Sequence, residues 1–422
     1  MSEPLLPYEW PGSYFIGEEE IEAVNKVLLA RSPFRFYGHD LQRFADQIEA
    51  AYRARLGRRY ALAVNSGTAA LSVAMSALDI GPGDEVLLPG YLWVSCISAV
   101  VRTGAIPRLV DIDESFCMDP HDLERKISTR TRAVLIVHMR GATGNLGRLL
   151  DICRDHQVRV LEDVAQSNGG SFQGRPLGSF GEMAIFSFQL NKNMTTGEGG
   201  MVVCDDEALY RRAWAYHDLG YPRNEQGRLV NDDPEAQLWG YGSRMSELTA
   251  AMAVAQERKL DAIVGNMRRL NRALYRGLAG IAGARPRRLV DPDGDSGAFV
   301  LLIWPDAEVC NQMVAATREA GVCTGPYGQN NYPLAHEGLH LYYNNLSLVH
   351  KRGVTSAGRP WTDPANAFAA EYTYGKGTLP MADDLFARTS VLSVPPTMTE
   401  ETCDQIIAIF RQCAVDLGLP GA

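Results

Sequence analysis

Through the first half of the chain, short apolar runs alternate with stretches whose apolar residues recur every three or four positions. "ALAV" is followed by "TAALSVAMSAL", "EVLLP" by "LWVSCISAVVRTG", and "AVLIVHM" by "LGRLLDICRDHQ"; "VRVLED", "EMAIFSF" and "GGMVVC" come next. Runs that are apolar at nearly every position have no solvent face. With helices between them, the pattern predicts an α/β fold whose mostly parallel sheet is covered on both sides. From Ser246 to about Gly283 the period turns helical without a break, a natural bridge to a second domain. Beyond it the chain reads as a strand ("AFVLLIW"), a helix ("AEVCNQMVAATREAG"), a polar and aromatic stretch from about Gly325 to Gly377, and a closing helix ("EETCDQIIAIFRQCAVDL"). That stretch is too long for a simple connector, and its Tyr, Trp and His residues point to an ordered binding region. The expected division is a large domain over 1–258 and a smaller C-terminal α+β domain over 259–422.

Composition narrows the picture without changing it. A chain of 422 residues suits two domains. A net charge of −9 argues against a general basic surface for duplex nucleic acid, so "RARLGRR" and "MRRLNRALYR" read as solvated helix faces. The eight cysteines are scattered with no C-x-x-C pair, as expected of free thiols in a reducing cytoplasm. "MSEPLLPYEWPG" lacks a basic region followed by an apolar one, so no signal peptide is expected. No run approaches the ~18 apolar residues of a spanning helix, so no membrane partner is expected either.

Four stretches carry candidate chemistry. "VNSGTAALS" runs from a strand through a Ser-Gly-Thr turn into a helix, whose first N–H groups favour a phosphate. The same turn also reads as a plain N-cap, with Ser66 or Thr68 holding the first turn. "VLEDVAQSNG" ends a strand with Glu162 and Asp163, followed by Gln166; strand-end carboxylates also serve as turn formers. "LPGYLWVSC" puts Trp93 at a helix start, where tryptophan commonly packs. "FSFQLNKN" carries Ser187 and Lys192, the latter readable alone as an ordinary loop lysine. In an open parallel sheet, ligands bind beyond the C-terminal strand ends, so all four stretches fall at one edge. Together they are what pyridoxal phosphate requires: an amine for its aldehyde, an acid partner for its pyridine nitrogen, donors for its phosphate and an aromatic neighbour for its flat ring.

"AHEGLHL" contains His336, Glu337 and His340, literally H-E-x-x-H, which on a helix would put both histidines on one face for zinc. The internal glycine, Pro333 just upstream and the lack of a third ligand at a familiar spacing speak against it, and no metal is expected.

"NSGTAAL", "GDEVLLP", "EDVAQSNG", "FSFQLNKNMTTGEGGMVV", "SRMSELTAAMAVAQERKLD" and "LSVPPTMTEETCDQIIAIF" together resemble the DegT-type (DnrJ/StrS-like) sugar aminotransferase family, over roughly residues 12 to 415. The resemblance implies a fold-type I, aspartate aminotransferase-like pyridoxal phosphate enzyme, commonly a homodimer with shared active sites. It implies Lys192 as the Schiff-base lysine, Asp163 as partner of the pyridine nitrogen and Gln166 near the ring hydroxyl. Trp93 then stacks on the ring, Gly67, Thr68 and Ser187 are phosphate donors, and His336 is the candidate facing the acceptor. The implied reaction passes an amino group from glutamate or glutamine to a keto-sugar or keto-cyclitol, as in amino-sugar or antibiotic biosynthesis. Relatives that eliminate water carry histidine at the lysine position; a lyase on the same fold and a non-catalytic regulatory protein are the alternatives.

Two positions depart from the family pattern. "GYGSRMS" has Gly242 where the family often has an asparagine that reaches the partner subunit's phosphate, leaving Arg244 as the substitute. "HMRGATGNL" has Arg140 where an aromatic or aliphatic residue is common; it fits either an unusual acceptor bearing negative charge or a structural ion pair.

Overall fold

A computed structural model describes residues 4–7, 10–231, 237–281, 283–324 and 330–419. Two helices, α1 (Glu18–Leu29) and α2 (Phe44–Leu56), lead into the sheet. Its strands β1 (Tyr60–Val64), β2 (Glu85–Pro89), β3 (Ile106–Val110), β4 (Thr131–Val137) and β5 (Arg159–Asp163) alternate with α3 (Gly67–Ala77), α4 (Val94–Thr103), α5 (Pro120–Lys126) and α6 (Leu146–Asp155). A small hairpin of β6 (Ser171–Phe172) and β7 (Arg175–Pro176) precedes β8 (Met183–Ser187), β9 (Gly200–Cys204) and α7 (Glu207–His217). The long helix α8 (Glu247–Leu278) follows. The last part holds β10 (Arg285–Pro286), β11 (Phe299–Ile303), α9 (Ala307–Glu319), β12 (Asn331–Pro333) and α10 (Leu346–Val349). It closes with α11 (Pro380–Ala387), β13 (Thr389–Ser393) and α12 (Glu400–Asp416).

The large sheet has the order β1-β9-β8-β5-β4-β2-β3. From β8 to β3 every pairing is parallel; β9 alone runs against its neighbours β1 and β8. The strands split by alternation into two cores. Leu62, Val86, Leu135, Leu161 and Ile185 face α3 and α4, while Ala63, Leu87, Val134, Val160 and Phe186 face α2, α6 and α8. This is why the strand runs are apolar throughout. A second sheet, β10-β11-β13-β12, forms a separate core with α9, α12 and the C-terminal half of α8.

Two expectations change. The long helix stops at Leu278, because Ala279 turns extended and Gly280 takes φ +85, a left-handed value suited to glycine. The polar stretch divides in two, apart from 325–329, which lie outside the described residues. Its first part, near 330–340, borders the cavity described below. Its later part covers the β2–β3 edge of the large sheet: Asn366 bonds Gly83 N and Gly104 O at 2.8 Å each, Tyr372 reaches Glu85 and Tyr374 reaches Pro107 O, both at 2.7 Å. Covering an edge strand removes its exposed backbone groups from unwanted pairing.

Candidate active site

Beyond the C-terminal ends of β1, β2, β4, β5 and β8 lies a cavity of about 660 Å³. Gly67, Thr68, Trp93, Arg140, Asp163, Gln166, Ser187, Lys192 and His336 all line it.

At the β1 end, Ser66 is extended and its Oγ accepts from Ala69 N at 3.0 Å, so Ser66 is the cap of α3. The cap and the anion site are therefore compatible readings of one turn. The first N–H groups of the helix have no partner inside it and the helix dipole favours negative charge there. A Cβ on Gly67 would sit 2.6 Å from Ser187 Cβ, so only glycine lets the helix start lie directly against the end of β8. Thr68 Oγ1 meets Ser95 Oγ at 2.8 Å.

The two carboxylates at the β5 end diverge because successive side chains on a strand face opposite ways. Glu162 turns from the cavity, accepts from the N–H groups of Gly178, Phe180 and Gly181, and lies 3.0 Å from His138 Nε2. Burial raises its pKa, but His138 and those N–H groups outweigh burial and the net shift is downward. Asp163 faces the cavity, with Oδ1 accepting from Ala165 N at 2.9 Å and Oδ2 from the Cys96 thiol at 3.2 Å. Burial, reinforced by Asp163, keeps that thiol protonated by pushing its pKa up.

Lys192 stands on the β8–β9 connection, half-buried in the same cavity. Burial lowers its pKa; Asp163 opposes this and Arg140 adds to it. A lowered pKa gives the amine a larger neutral, nucleophilic fraction than an exposed lysine has. Trp93, at the N-cap position of α4, is 44% exposed in spite of its size, with the His340 ring 4.8 Å away. Gln166 Nε2 lies 3.1 Å from His340 Nε2, while Gln166 Oε1 is buried without a partner among the described residues. Burial, Arg140 and Lys192 push the His340 pKa down to about 2, so its ring is neutral.

The H-E-x-x-H segment is not an α-helix. It forms two 3₁₀ turns, Leu334–His336 and Gly338–His340, so its histidines do not share a helical face. Glu337 instead pairs with Arg140, and His336 is exposed at the cavity rim. Arg140 is buried; its Nε donates to Tyr91 Oη at 2.9 Å and its Nη2 to Tyr332 Oη at 2.7 Å. Its guanidinium also lies 4.4 Å from the centre of the Phe299 ring. Burial lowers its pKa, but Tyr332 and Tyr91 more than offset this and the shift is upward. Arg244 is held at 2.5 Å by Asp218 and bridges Val64 at the end of β1; it does not line this chain's own cavity.

Cys96, Tyr332, Glu337 and His340 line the cavity without having been singled out for it, and Tyr91 stands behind them, bonded to Arg140 and Glu337. Glu337 and His340 stood in view inside the zinc-like motif, and Trp10 and Pro11 reach the cavity from the N-terminal segment. The residues present fit a flat, phosphate-bearing aldehyde. An anion-favouring helix start lies against β8, an exposed indole offers a face, a glutamine oxygen lacks a partner, and an amine stands near a carboxylate.

The sequence profile described as the DegT/DnrJ/EryC1/StrS aminotransferase family matches residues 15–357. A Micromonospora echinospora protein named as an L-glutamine:3-amino-2,3-dideoxy-scyllo-inosose aminotransferase is 32% identical over 289 residues, spanning 67% of this chain and 66% of its own, just under two thirds. A protein of the same name from Streptoalloteichus tenebrarius is 35% identical over 294 residues, 68% of each chain. Among solved structures, 3-amino-5-hydroxybenzoic acid synthase superposes with a TM-score of 0.79 at 25% identity, covering 98% of this chain and 100% of that one. DesV from S. venezuelae, solved with a ketimine intermediate, superposes with a TM-score of 0.74 at 25% identity, covering 94% of each.

Proposed function

We propose that this chain, which belongs to the DegT/DnrJ/EryC1/StrS aminotransferase family, moves an amino group from glutamine or glutamate to a ketone on a cyclitol or sugar ring. It is an aminotransferase, and pyridoxal phosphate is its cofactor. The observation that supports the reading most is that Lys192, Asp163 and the start of α3 border one cavity. The two relatives named for glutamine and a scyllo-inosose support the choice of donor and of a ring ketone.

When bound, pyridoxal phosphate supplies an aldehyde that takes up amines and a protonated ring that withdraws electrons from the donor's α-carbon. The N–H groups of Gly67 and Thr68, with the Ser187 hydroxyl, would hold the phosphate at the helix start. Trp93 would cover the ring, and the unpartnered Gln166 Oε1 would accept from its hydroxyl. Asp163, fixed by Ala165 N–H and the Cys96 thiol, would hold the proton on the ring nitrogen. Lys192 would hold the resting cofactor through its Nζ, and with a donor bound the same Nζ would carry the proton away from the donor's α-carbon. Its desolvated surroundings, which lower its pKa, suit it to accept that proton. His336, exposed at the rim, is the residue proposed to meet the acceptor's hydroxyls.

The test is a half-reaction. Protein loaded with pyridoxal phosphate should absorb visible light, lose that band on mixing with L-glutamine or L-glutamate, and release the matching 2-oxo acid. Lys192→Ala should lower turnover by about a thousandfold or more, in line with the loss of a positioned acid–base group together with the covalent anchor. A wild-type protein that binds the cofactor yet yields no 2-oxo acid with any common amino donor would overturn aminotransfer in favour of a lyase.

A further inference from the structure

The proposed reaction sets a problem of charge. One cavity must admit, in turn, an amino acid with its α-carboxylate and a ring ketone without a carboxylate. A buried arginine that suits the first is an uncompensated charge in front of the second. We propose that Arg140 and Glu337 form an exchangeable ion pair: the donor's α-carboxylate displaces Glu337 from Arg140, and Glu337 returns when the ring acceptor occupies the cavity. The proposal rests on the aminotransfer reading above and adds to it how the site tells its two substrates apart.

The two halves of the pair are built differently. Arg140 is the fixed half. Its backbone takes φ 57 and ψ 42, a left-handed conformation that costs a non-glycine residue energy and persists where surrounding structure enforces it. Here the enforcement is visible. Arg287, buried and paired with Asp295 at 3.0 Å, donates to Met139 O at 3.1 Å and to Arg140 O at 2.7 Å, while Ser296 N donates to Gly141 O at 2.8 Å. The side chain is clamped as well, by Tyr91, Tyr332 and the face of Phe299. A guanidinium held this way presents its planar fork, which matches a carboxylate in two-point contact.

Glu337 is the releasable half. It sits where one 3₁₀ turn ends and another begins, outside any sheet or α-helix, and Gly338 after it has φ +61. His336, Gly338 and Leu339 around it are exposed, so an outward rotation carries its carboxylate to water. Tyr91 donates to Glu337 and accepts from Arg140, so its hydroxyl can pass from one carboxylate to the other without losing a partner. His340, neutral at working pH, does not compete as a cation. With Glu337 in place this corner is charge-balanced and suits an uncharged ring; with Glu337 out, the donor's carboxylate restores the balance.

The test uses cofactor-loaded protein and two unreactive probes, 4-carbamoylbutanoate and its neutral diamide, glutaramide, with binding followed by calorimetry. Wild type should prefer the carboxylate at least tenfold. Arg140→Met should lose that preference and, with Glu337 left unpaired, should raise the KM for a ring ketone as well. Glu337→Gln should bind the carboxylate as tightly or more tightly, because its competitor has lost its charge, and should show a raised KM for the ring ketone. Should Arg140→Met misfold around an unpaired Glu337, the R140M/E337Q double variant leaves no lone charge and should show the same lost preference. Retained preference in Arg140→Met and in the R140M/E337Q double variant, or equal weakening towards both probes and the ketone, overturns the exchange and leaves Arg140 as a structural pair. If the carboxylate preference depends on Arg140 but no amino acid is consumed, aminotransfer falls and the exchange stands. If amino acids are consumed and removing Arg140 costs no carboxylate preference, the exchange falls alone.

Discussion

Glu162 and Asp163 are neighbours of the same chemical type with unrelated work. Strand alternation aims one at a turn behind the sheet and the other at the cavity. Glu162 accepts three backbone N–H groups and meets His138, so replacing it by glutamine turns an acceptor that ties down 178–181 into a group that must also donate. Glu162→Gln should lower unfolding free energy by about 2–4 kcal/mol, measured by urea denaturation, whether or not cofactor is present. From spacing alone the pair cannot be divided, since either residue could be the one facing the ligand; the family resemblance is what singles out Asp163. Lys192 alone reads as an ordinary loop lysine, and only its company with Asp163, Trp93, Thr68 and Ser187 at neighbouring strand ends sets it apart. Glu337 and His340 were hidden for a physical reason: their partners Arg140, Gln166 and Trp93 lie far away along the chain, and no local period marks such contacts.

Elements were legible where one period runs long enough to be counted. The strands with their flanking helices emerged from apolar spacing, and α8 from its unbroken helical pattern. β3, reading "IPRLV", carries a proline and an arginine, and its edge position relaxes the all-apolar requirement that made the inner strands visible. The H-E-x-x-H spacing misleads because it presumes 3.6 residues per turn, and the chain there is 3₁₀ with a left-handed glycine. The start of α3 permits two separable tests. Ser66→Ala removes the cap and should cost about 1 kcal/mol of stability. Gly67→Ala drives a Cβ against Ser187 and should raise the dissociation constant for pyridoxal phosphate at least tenfold, read by equilibrium titration of the visible band. If the helix start were only a cap, Gly67→Ala would leave cofactor affinity unchanged.

Across the whole molecule, buried neutral histidines set a limit on acid. Burial pushes His217 down to about 3, its Nδ1 lying against Trp214 O. The unfolded chain then takes up a proton below pH ~6.5 that the folded chain refuses, so stability is present above that pH and is lost as pH falls towards 3. The loss should approach about 1.4 kcal/mol per pH unit for this one group. Between pH 6.5 and 4.5, wild type should therefore lose about 2–3 kcal/mol more than His217→Asn, measured by urea unfolding at each pH.

The reversed strand β9 also bears on how the protein is made. β1, whose end delivers the Ser66–Thr68 turn, has β9 as its only neighbouring strand among the described residues, so the first strand synthesised waits at an edge until residues 200–204 exist. Closing that long loop must precede the contacts that reward it. A nascent chain ending anywhere before β9 therefore holds the sequence of the proposed phosphate turn without the strand that positions it, and on the proposed reading cofactor capture is a late event of biosynthesis.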